Sequence, residues 1–144
     1  MRVGWAAVAW GVAFSMAGCQ HKPASGESIP EVCRIENNGQ FKSVSGYITT
    51  PLLGFCGKRR CVLALRDKRA GETASLSLSV AVGTGKNQLS DLPEKYSEAD
   101  IHLKDDAGTD VRGGSAVRLT GKMSVVMSDG SKLCTLDVDK VEAR

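Results

Sequence analysis

The chain has 144 residues, enough for one domain of ordinary size. It carries 19 Lys and Arg against 16 Asp and Glu, a formal net charge of +3, which excludes a polybasic nucleic-acid arm and an acidic tail. Two histidines and the lack of a dense acidic cluster argue against an elaborate catalytic apparatus. We therefore expect no enzyme: no catalytic residues, no metal site and no cofactor.

An almost uncharged apolar segment opens the chain. Residues 3–18 contain no charged side chain, and residues 1–18 hold both tryptophans of the protein. As a helix, the uncharged run would cover roughly 24 Å, which is less than the roughly 30 Å of a bilayer core. The length therefore indicates a secretory signal peptide over residues 1–18 rather than a permanent spanning helix.

This segment ends in Ser15-Met16-Ala17-Gly18-Cys19. The motif resembles the lipobox of bacterial lipoproteins, in which small residues precede a lipidated cysteine, with Met16 in place of the usual Leu. The resemblance implies cleavage after Gly18 and acylation of Cys19 with diacylglycerol and a fatty acid such as palmitate. Two alternatives stay open, namely ordinary signal-peptidase cleavage after Ala17 and an uncleaved anchor.

The residues after Cys19 are polar, turn-rich and without periodicity. This composition predicts a lipidated tether over residues 19–32, followed by one domain over residues 33–144. Loss of the leader removes only Arg2 among the charged residues, so the net charge falls from +3 to about +2. Because Gln20 rather than Asp follows the cysteine, we expect a lipoprotein of the outer membrane that faces the periplasm.

Four cysteines remain: Cys33, Cys56, Cys61 and Cys134. An even number in an oxidising compartment predicts two disulfides, for which three pairings are possible. The glycine-containing loop between Cys56 and Cys61 favours a bridge that closes a hairpin, which leaves Cys33 with Cys134. A thiol-redox pair and a thiolate metal site remain alternatives, although neither the Cys-x-x-Cys spacing nor paired ligands are present.

Period-two alternation dominates the domain. It is clearest from Ala74 to Val82, where leucines and valines occupy one face and serines occupy most of the other. Further strands are predicted near residues 41–50, 61–67, 117–127 and 133–138, with a short ribbon around the turn at 105–108. Helix-start signals at Ser90-Asp91 and the three- and four-residue spacing of Leu92, Tyr96 and Ala99 predict one helix of about two turns.

The order of elements is three strands, a short helix and two strands, with an extra ribbon after the helix. Together with residues 117–122, the turn at 129–130 and residues 136–142, this order resembles the OB-fold, a five-stranded Greek-key barrel. The predicted fold class is therefore mainly β: a small OB-like five-stranded barrel with one short helix. Another small barrel or a sandwich is the alternative.

Charge is unevenly distributed along the domain. Residues 58–69 hold six cationic residues and one acid, whereas residues 91–110 hold seven acids and two lysines. We expect these stretches to be solvated loops that pair with each other. The alternative is that they form two binding faces, of which the basic one takes an anion or an acidic partner.

Basic and aromatic residues of the first half of the domain are the candidate ligand-binding residues: Lys58, Arg59, Arg60, Arg66, Tyr47 and Phe55. A nucleic-acid ligand is disfavoured, because few aromatic side chains are available to stack on bases. The sequence thus predicts a membrane-anchored, non-catalytic binding module for an envelope protein or a polyanionic or saccharide ligand. A periplasmic immunity or inhibitor protein, directed against a secreted toxin or lytic enzyme, is the alternative.

Overall fold

The computed structural model describes residues 26–144. The predicted signal peptide, the lipidation site Cys19 and the first part of the predicted tether lie outside the described residues. The elements, in chain order, are α1 (Ile29–Val32), β1 (Phe41–Thr49), β2 (Arg60–Arg66), β3 (Ser75–Ala81), β4 (His102–Lys104), β5 (Asp110–Arg112), β6 (Ala116–Ser128) and β7 (Ser131–Ala143), with 3-10 turns at Ile35–Asn37 and Glu98–Asp100. No helix within this range is long and apolar enough to cross a bilayer.

Five of the strands form a closed barrel in the order β1-β2-β3-β7-β6, and β6 pairs back onto β1. Neighbouring barrel strands are antiparallel except β3 and β7, which run parallel. This Greek-key order is that of an OB-like barrel, so the fold class predicted from the sequence is confirmed. The remaining strands, β4 and β5, form a separate two-stranded hairpin.

Alternation along β3 builds the centre of the core. Leu76, Leu78 and Val80 are buried, whereas the serines between and before them are partly or fully exposed. Leu78 lies between Leu63 of β2 and Leu136 of β7 in the strand register, and all three side chains are fully buried. Because successive side chains of a strand point to opposite faces, this pattern places the leucines inside the barrel and the serines outside.

The short helix α1 belongs to the folded domain, although its residues fall within the predicted tether. The backbone N–H of Ser28 donates a hydrogen bond of 2.9 Å to the Glu31 carboxylate, a pairing typical of a capped helix start. Ile29 and Val32 are buried and pack into the core. The folded domain thus begins before the predicted boundary at Cys33, because these two side chains supply apolar surface to the barrel.

The two-turn helix predicted at residues 91–99 is not formed. Residues 91–97 are irregular, and only the 3-10 turn Glu98–Asp100 follows them. Leu89 forms a β-bridge with Leu103, and both side chains are buried, so the two ends of this segment are fixed close together. These tertiary contacts override a helical pattern that is too short to be stable alone.

Two disulfides are present in the domain. One joins Cys33 to Cys134 with a Cα–Cα distance of 5.7 Å, and the other joins Cys56 to Cys61 with a Cα–Cα distance of 4.0 Å. This is the pairing that the sequence favours. Both bridges, the closed barrel and the buried core described above lie within residues 26–144.

Candidate functional site

A basic cleft of about 480 Å³ lies beside the ends of β1 and β2. Its walls come from β1, the end of β2, the β2–β3 loop, the 3-10 turn at residues 98–100 and the β5–β6 turn. The residues that line the basic cleft are Tyr47, Ile48, Thr49, Arg66, Lys68, Arg69, Glu98, Arg112, Gly113, Gly114 and Ser115. No other described cavity gathers as many cationic side chains.

Strand pairing brings the first side chains of the basic cleft together. Tyr47 of β1 and Arg66 of β2 are direct cross-strand neighbours in the barrel. The chain then turns away from β2, and the guanidinium carbon of Arg69 lies 5.1 Å from the centre of the Tyr47 ring. This cation–π contact holds Arg69 over the cleft, where its charge stays available to a ligand.

The β5–β6 turn forms the opposite wall. Its backbone is fixed to β1, because the N–H of Gly114 donates to the Ile48 carbonyl at 2.7 Å and the N–H of Ile48 donates to the Ser115 carbonyl at 3.3 Å. Gly114 has a φ of 82°, a conformation that favours glycine. The turn thereby presents Arg112, whose side chain is 72% exposed, to the cleft.

The one carboxylate in the basic cleft is that of Glu98. Its Oε2 accepts a hydrogen bond of 2.6 Å from the Thr49 hydroxyl, which fixes the side chain against β1. Gly113 lies so close to the Glu98 carbonyl that any Cβ there would collide with it. The 3-10 turn and the β5–β6 turn are therefore packed together without intervening side chains.

The charges of the cleft are unbalanced. Four cationic side chains face one carboxylate, and within residues 26–144 no salt bridge joins Arg66, Lys68 or Arg69 to an acid. Arg112 is 3.7 Å from Asp110, a contact between exposed groups that leaves the guanidinium largely in solvent. The geometry suits the binding of a carboxylate, phosphate or sulfate group.

The basic and acidic stretches do not pair with each other, contrary to the expectation from the sequence. Within residues 26–144 no salt bridge joins residues 58–69 to residues 91–110. The acids Asp106 and Asp110 instead contact Lys140, His102 and Arg112. His102 and Arg112 belong to the hairpin β4–β5 and Lys140 belongs to β7, so these two acids have partners outside the basic stretch.

The six candidate ligand-binding residues fall into separate places. Tyr47 and Arg66 meet in the basic cleft. Lys58 lines a different, smaller cavity beside the Cys56–Cys61 bridge, and Arg59 is exposed on the β1–β2 loop. Arg60 forms an ion pair with Asp137 of β7 and donates to the Ser79 carbonyl at 2.8 Å. Phe55 is 74% exposed on the β1–β2 loop, in none of the five described cavities.

Sequence reasoning did not assign Lys68, Arg69 or Arg112 to the site. Lys68 and Arg69 lie in the same basic stretch as Arg66, so their charge could have identified them as site residues. No sequence pattern around Arg112 marks it as a site residue, because it reaches the cleft only through the hydrogen bonds of the β5–β6 turn to β1. No group of three or more metal-ligating side chains occurs within residues 26–144.

A shallower groove of similar volume, about 480 Å³, lies over the outer face of β2 and β3. The β1–β2 loop contributes Leu52 and Leu53 to one side, and the outward-facing Ser75 and Ser77 lie on the sheet. Arg66 lines both the groove and the basic cleft, so the two form neighbouring sites.

The fold and the cleft together define a disulfide-bridged OB-like barrel with a basic cleft. No protein-family model matches the chain, and no curated protein matches it significantly. Six chains among solved structures match it. One, described as an aspartyl-tRNA synthetase from Leishmania major Friedlin, has 15% sequence identity and a TM-score of 0.52, over 89% of this chain and 22% of that one. The chain thus spans about a fifth of that protein's length, and the likeness shows the fold alone.

Proposed function

We propose that this protein is a non-catalytic, membrane-anchored binding module outside the cytoplasm. In this proposal, the basic cleft takes an anionic group of an envelope protein or of a polyanionic or saccharide ligand. The anchor is the lipid on Cys19, and the barrel is the part that binds.

The observation that carries the proposal is the surplus of cations in the basic cleft. Arg66, Lys68 and Arg69 have no salt bridge within residues 26–144, and Arg69 is held in position by the Tyr47 ring. Guanidinium groups bind carboxylate, phosphate and sulfate through paired hydrogen bonds. Like charges that lie close together repel one another and do not stabilise the fold. An anion that binds between them is therefore the simplest ligand.

The anchor is supported by the sequence of residues 15–19 and by the two disulfides. The lipobox-like motif favours lipidation of Cys19, and stable disulfides are typical of proteins outside the cytoplasm. Intact-mass measurement of the membrane-extracted protein tests this part. We expect a chain that begins at acylated Cys19, and a mass that retains residues 1–18 would refute it.

Binding of a sulfated polysaccharide tests the cleft. We expect the triple variant Arg66→Gln, Arg69→Gln, Arg112→Gln to bind heparin about tenfold or more weakly than the unchanged protein, by isothermal titration calorimetry at fixed salt. The matched control is Lys86→Gln, Lys122→Gln, Lys132→Gln, which removes the same charge from other exposed positions. Equal losses in both variants would mean diffuse attraction, and no binding by the unchanged protein would refute an anion site.

A further inference from the structure

The β1–β2 loop, residues 50–59, carries large apolar side chains that the rest of the domain leaves uncovered. Leu52 is 98% exposed, Leu53 is 92% exposed and Phe55 is 74% exposed. A single exposed leucine is ordinary on a protein surface, but three large apolar side chains within four residues are not. Such a cluster in water indicates a surface that is covered in use.

The base of this loop is held in place. Cys56 is bonded to Cys61, the N–H of Gly57 donates to the Arg60 carbonyl at 2.8 Å, and the N–H of Val62 donates to the Phe55 carbonyl at 2.9 Å. These bonds tie the second half of the loop to the start of β2. Phe55 therefore projects from a fixed position rather than from a free segment.

The first half of the loop is also packed at its turn. A Cβ on Gly54 would lie 2.9 Å from both the Pro51 ring and the Tyr96 hydroxyl oxygen, so there is no room for a side chain. The chain passes closely over Tyr96 at this point, and the side chains of Leu52 and Leu53 are exposed to solvent. The loop presents its apolar side chains outward because the inner side is already occupied.

Cationic side chains flank the apolar cluster. Lys58 and Arg59 are exposed on the same loop, and neither forms a salt bridge with any described residue. Apolar side chains beside basic ones are the combination that binds the surface of an anionic bilayer: the former enter the headgroup and acyl boundary while the latter meet phosphate groups. The neighbouring Arg60 is excluded from this role by its ion pair with Asp137.

We propose that the β1–β2 loop is a second, non-covalent membrane contact. Leu52, Leu53 and Phe55 insert into the interface of an anionic bilayer, and Lys58 and Arg59 contact its headgroups. A lipid surface fits these observations because almost completely exposed leucines stand on the same loop as two cations without salt bridges to described residues, which complements the charge and the apolar boundary of an anionic bilayer. The assignment does not depend on the basic cleft or on lipidation of Cys19.

Vesicle binding by residues 26–144, which lack Cys19 and the leader, tests the proposal directly. The probe is a vesicle of phosphatidylcholine with about 30% phosphatidylglycerol, compared with phosphatidylcholine alone. We expect sedimentation with the anionic vesicles, weakened about tenfold or more by Leu52→Ser with Leu53→Ser. We expect a smaller weakening by Lys58→Gln with Arg59→Gln.

Two control variants separate this loop from other surfaces. Val126→Ser with Leu133→Ser removes exposed apolar side chains from the β6–β7 hairpin and should leave vesicle binding unchanged. Lys122→Gln with Lys132→Gln removes two exposed charges from the same hairpin and should also leave most of the binding intact. If either control variant weakens vesicle binding as much as the leucine variant does, the proposal is wrong.

A single-tryptophan reporter gives a second measurement. Residues 26–144 contain no tryptophan, so Phe55→Trp introduces a single fluorophore within the apolar cluster. We expect its emission to shift to the blue on addition of anionic vesicles, because the indole leaves water. An unshifted spectrum would overturn the insertion, as would a concentration-dependent dimer that Leu52→Ser with Leu53→Ser dissociates, since the cluster would then serve self-association.

Discussion

At the residue scale, the pairing of Arg118 with Glu142 joins the two longest strands. Arg118 Nε donates to Glu142 Oε2 at 2.9 Å, and Arg118 Nη2 donates to Glu142 Oε1 at 3.1 Å. These hydrogen bonds, with Lys140 Nζ at 3.3 Å as a further cation, lower the pKa of Glu142 below its ordinary value of 4.5, although partial burial opposes the shift. The ionised form is therefore favoured in the folded protein.

This lowered pKa makes part of the stability depend on pH. Because the folded pKa lies below the unfolded one, the contribution is present above about pH 4.5 and is lost as the pH falls through the folded value. We expect Glu142→Gln to lower the free energy of unfolding by about 1 kcal/mol or less near pH 7, and by much less near pH 3. Urea unfolding at the two pH values measures the difference.

The exposed Asp139 of the same strand provides the control for this experiment. It forms no salt bridge within the described residues, so Asp139→Asn should change stability little at either pH. If Glu142→Gln costs the same at pH 3 as at pH 7, its effect does not come from the ionised pair.

Two arginines of β2 differ in whether an acid neutralises them, and the sequence does not determine this difference. Arg60 and Arg66 belong to the same basic stretch and were both candidate ligand-binding residues. Arg60 is neutralised by Asp137, whereas Arg66 faces the basic cleft without a salt bridge to any described acid. The difference arises from β7, seventy-odd residues away, and no local pattern encodes which cation that strand meets.

At the scale of elements, a β-bulge shapes the long hairpin of β6 and β7. The register passes from Thr120 opposite Lys140 to Gly121 opposite Val138, so Asp139 is an extra residue on β7. Gly121 lies so close to the Asp137 carbonyl oxygen that a Cβ would collide with it. The bulge increases the local twist and thereby lets a long hairpin curve around a closed barrel.

Replacement of this glycine tests the bulge. We expect Gly121→Ala to lower the free energy of unfolding by about 1–3 kcal/mol, because the methyl group has to displace backbone atoms of β7. Thermal or urea unfolding measures the loss. Gly57→Ala is the matched control, since a Cβ at Gly57 would make only ordinary contacts at 3.6 Å, and an equal loss there would contradict the explanation.

The strands were predictable because their burial pattern is local. Leu76 to Val80 alternate with serines in the sequence, and the same alternation is seen in their burial. The helices were less predictable. A helix was expected around Tyr96, but the segment there is irregular and its ends are held together by the bridge between Leu89 and Leu103. The helix α1 lies instead in the predicted tether, because Ile29 and Val32 pack into the core.

At the scale of the whole molecule, the basic cleft is assembled by a strand pairing and by the return of the β5–β6 turn to β1. Tyr47 and Arg66 meet through the β1–β2 pairing, which the order of strands in an OB-like fold implies. Arg112 arrives from the β5–β6 turn, whose position depends on two backbone hydrogen bonds to Ile48. Tyr47 and Arg66 could thus be anticipated from composition and fold class, whereas the place of Arg112 required the long-range contacts.

The two disulfides should differ in their effect on the stability of the whole domain. Cys33–Cys134 spans 101 residues and ties the end of α1 to β7, whereas Cys56–Cys61 spans five residues and joins the β1–β2 loop to the start of β2. In the chain-entropy account, a bridge stabilises by restricting the unfolded chain, and the restriction grows with the length of the closed loop. That account gives about 4–5 kcal/mol for the long loop and about 2 kcal/mol for the short one.

We therefore expect Cys33→Ser with Cys134→Ser to lower the free energy of unfolding by about twice as much as Cys56→Ser with Cys61→Ser, measured by urea unfolding without reductant. The short-loop variant serves as the control, because it removes the same number of sulfur atoms while leaving the ends of the domain joined. Equal losses from the two variants would show that the bridges act through local contacts in the folded state. A larger loss of unfolding free energy in the Cys33→Ser, Cys134→Ser variant would mean that this bridge stabilises the domain chiefly by restricting the unfolded chain.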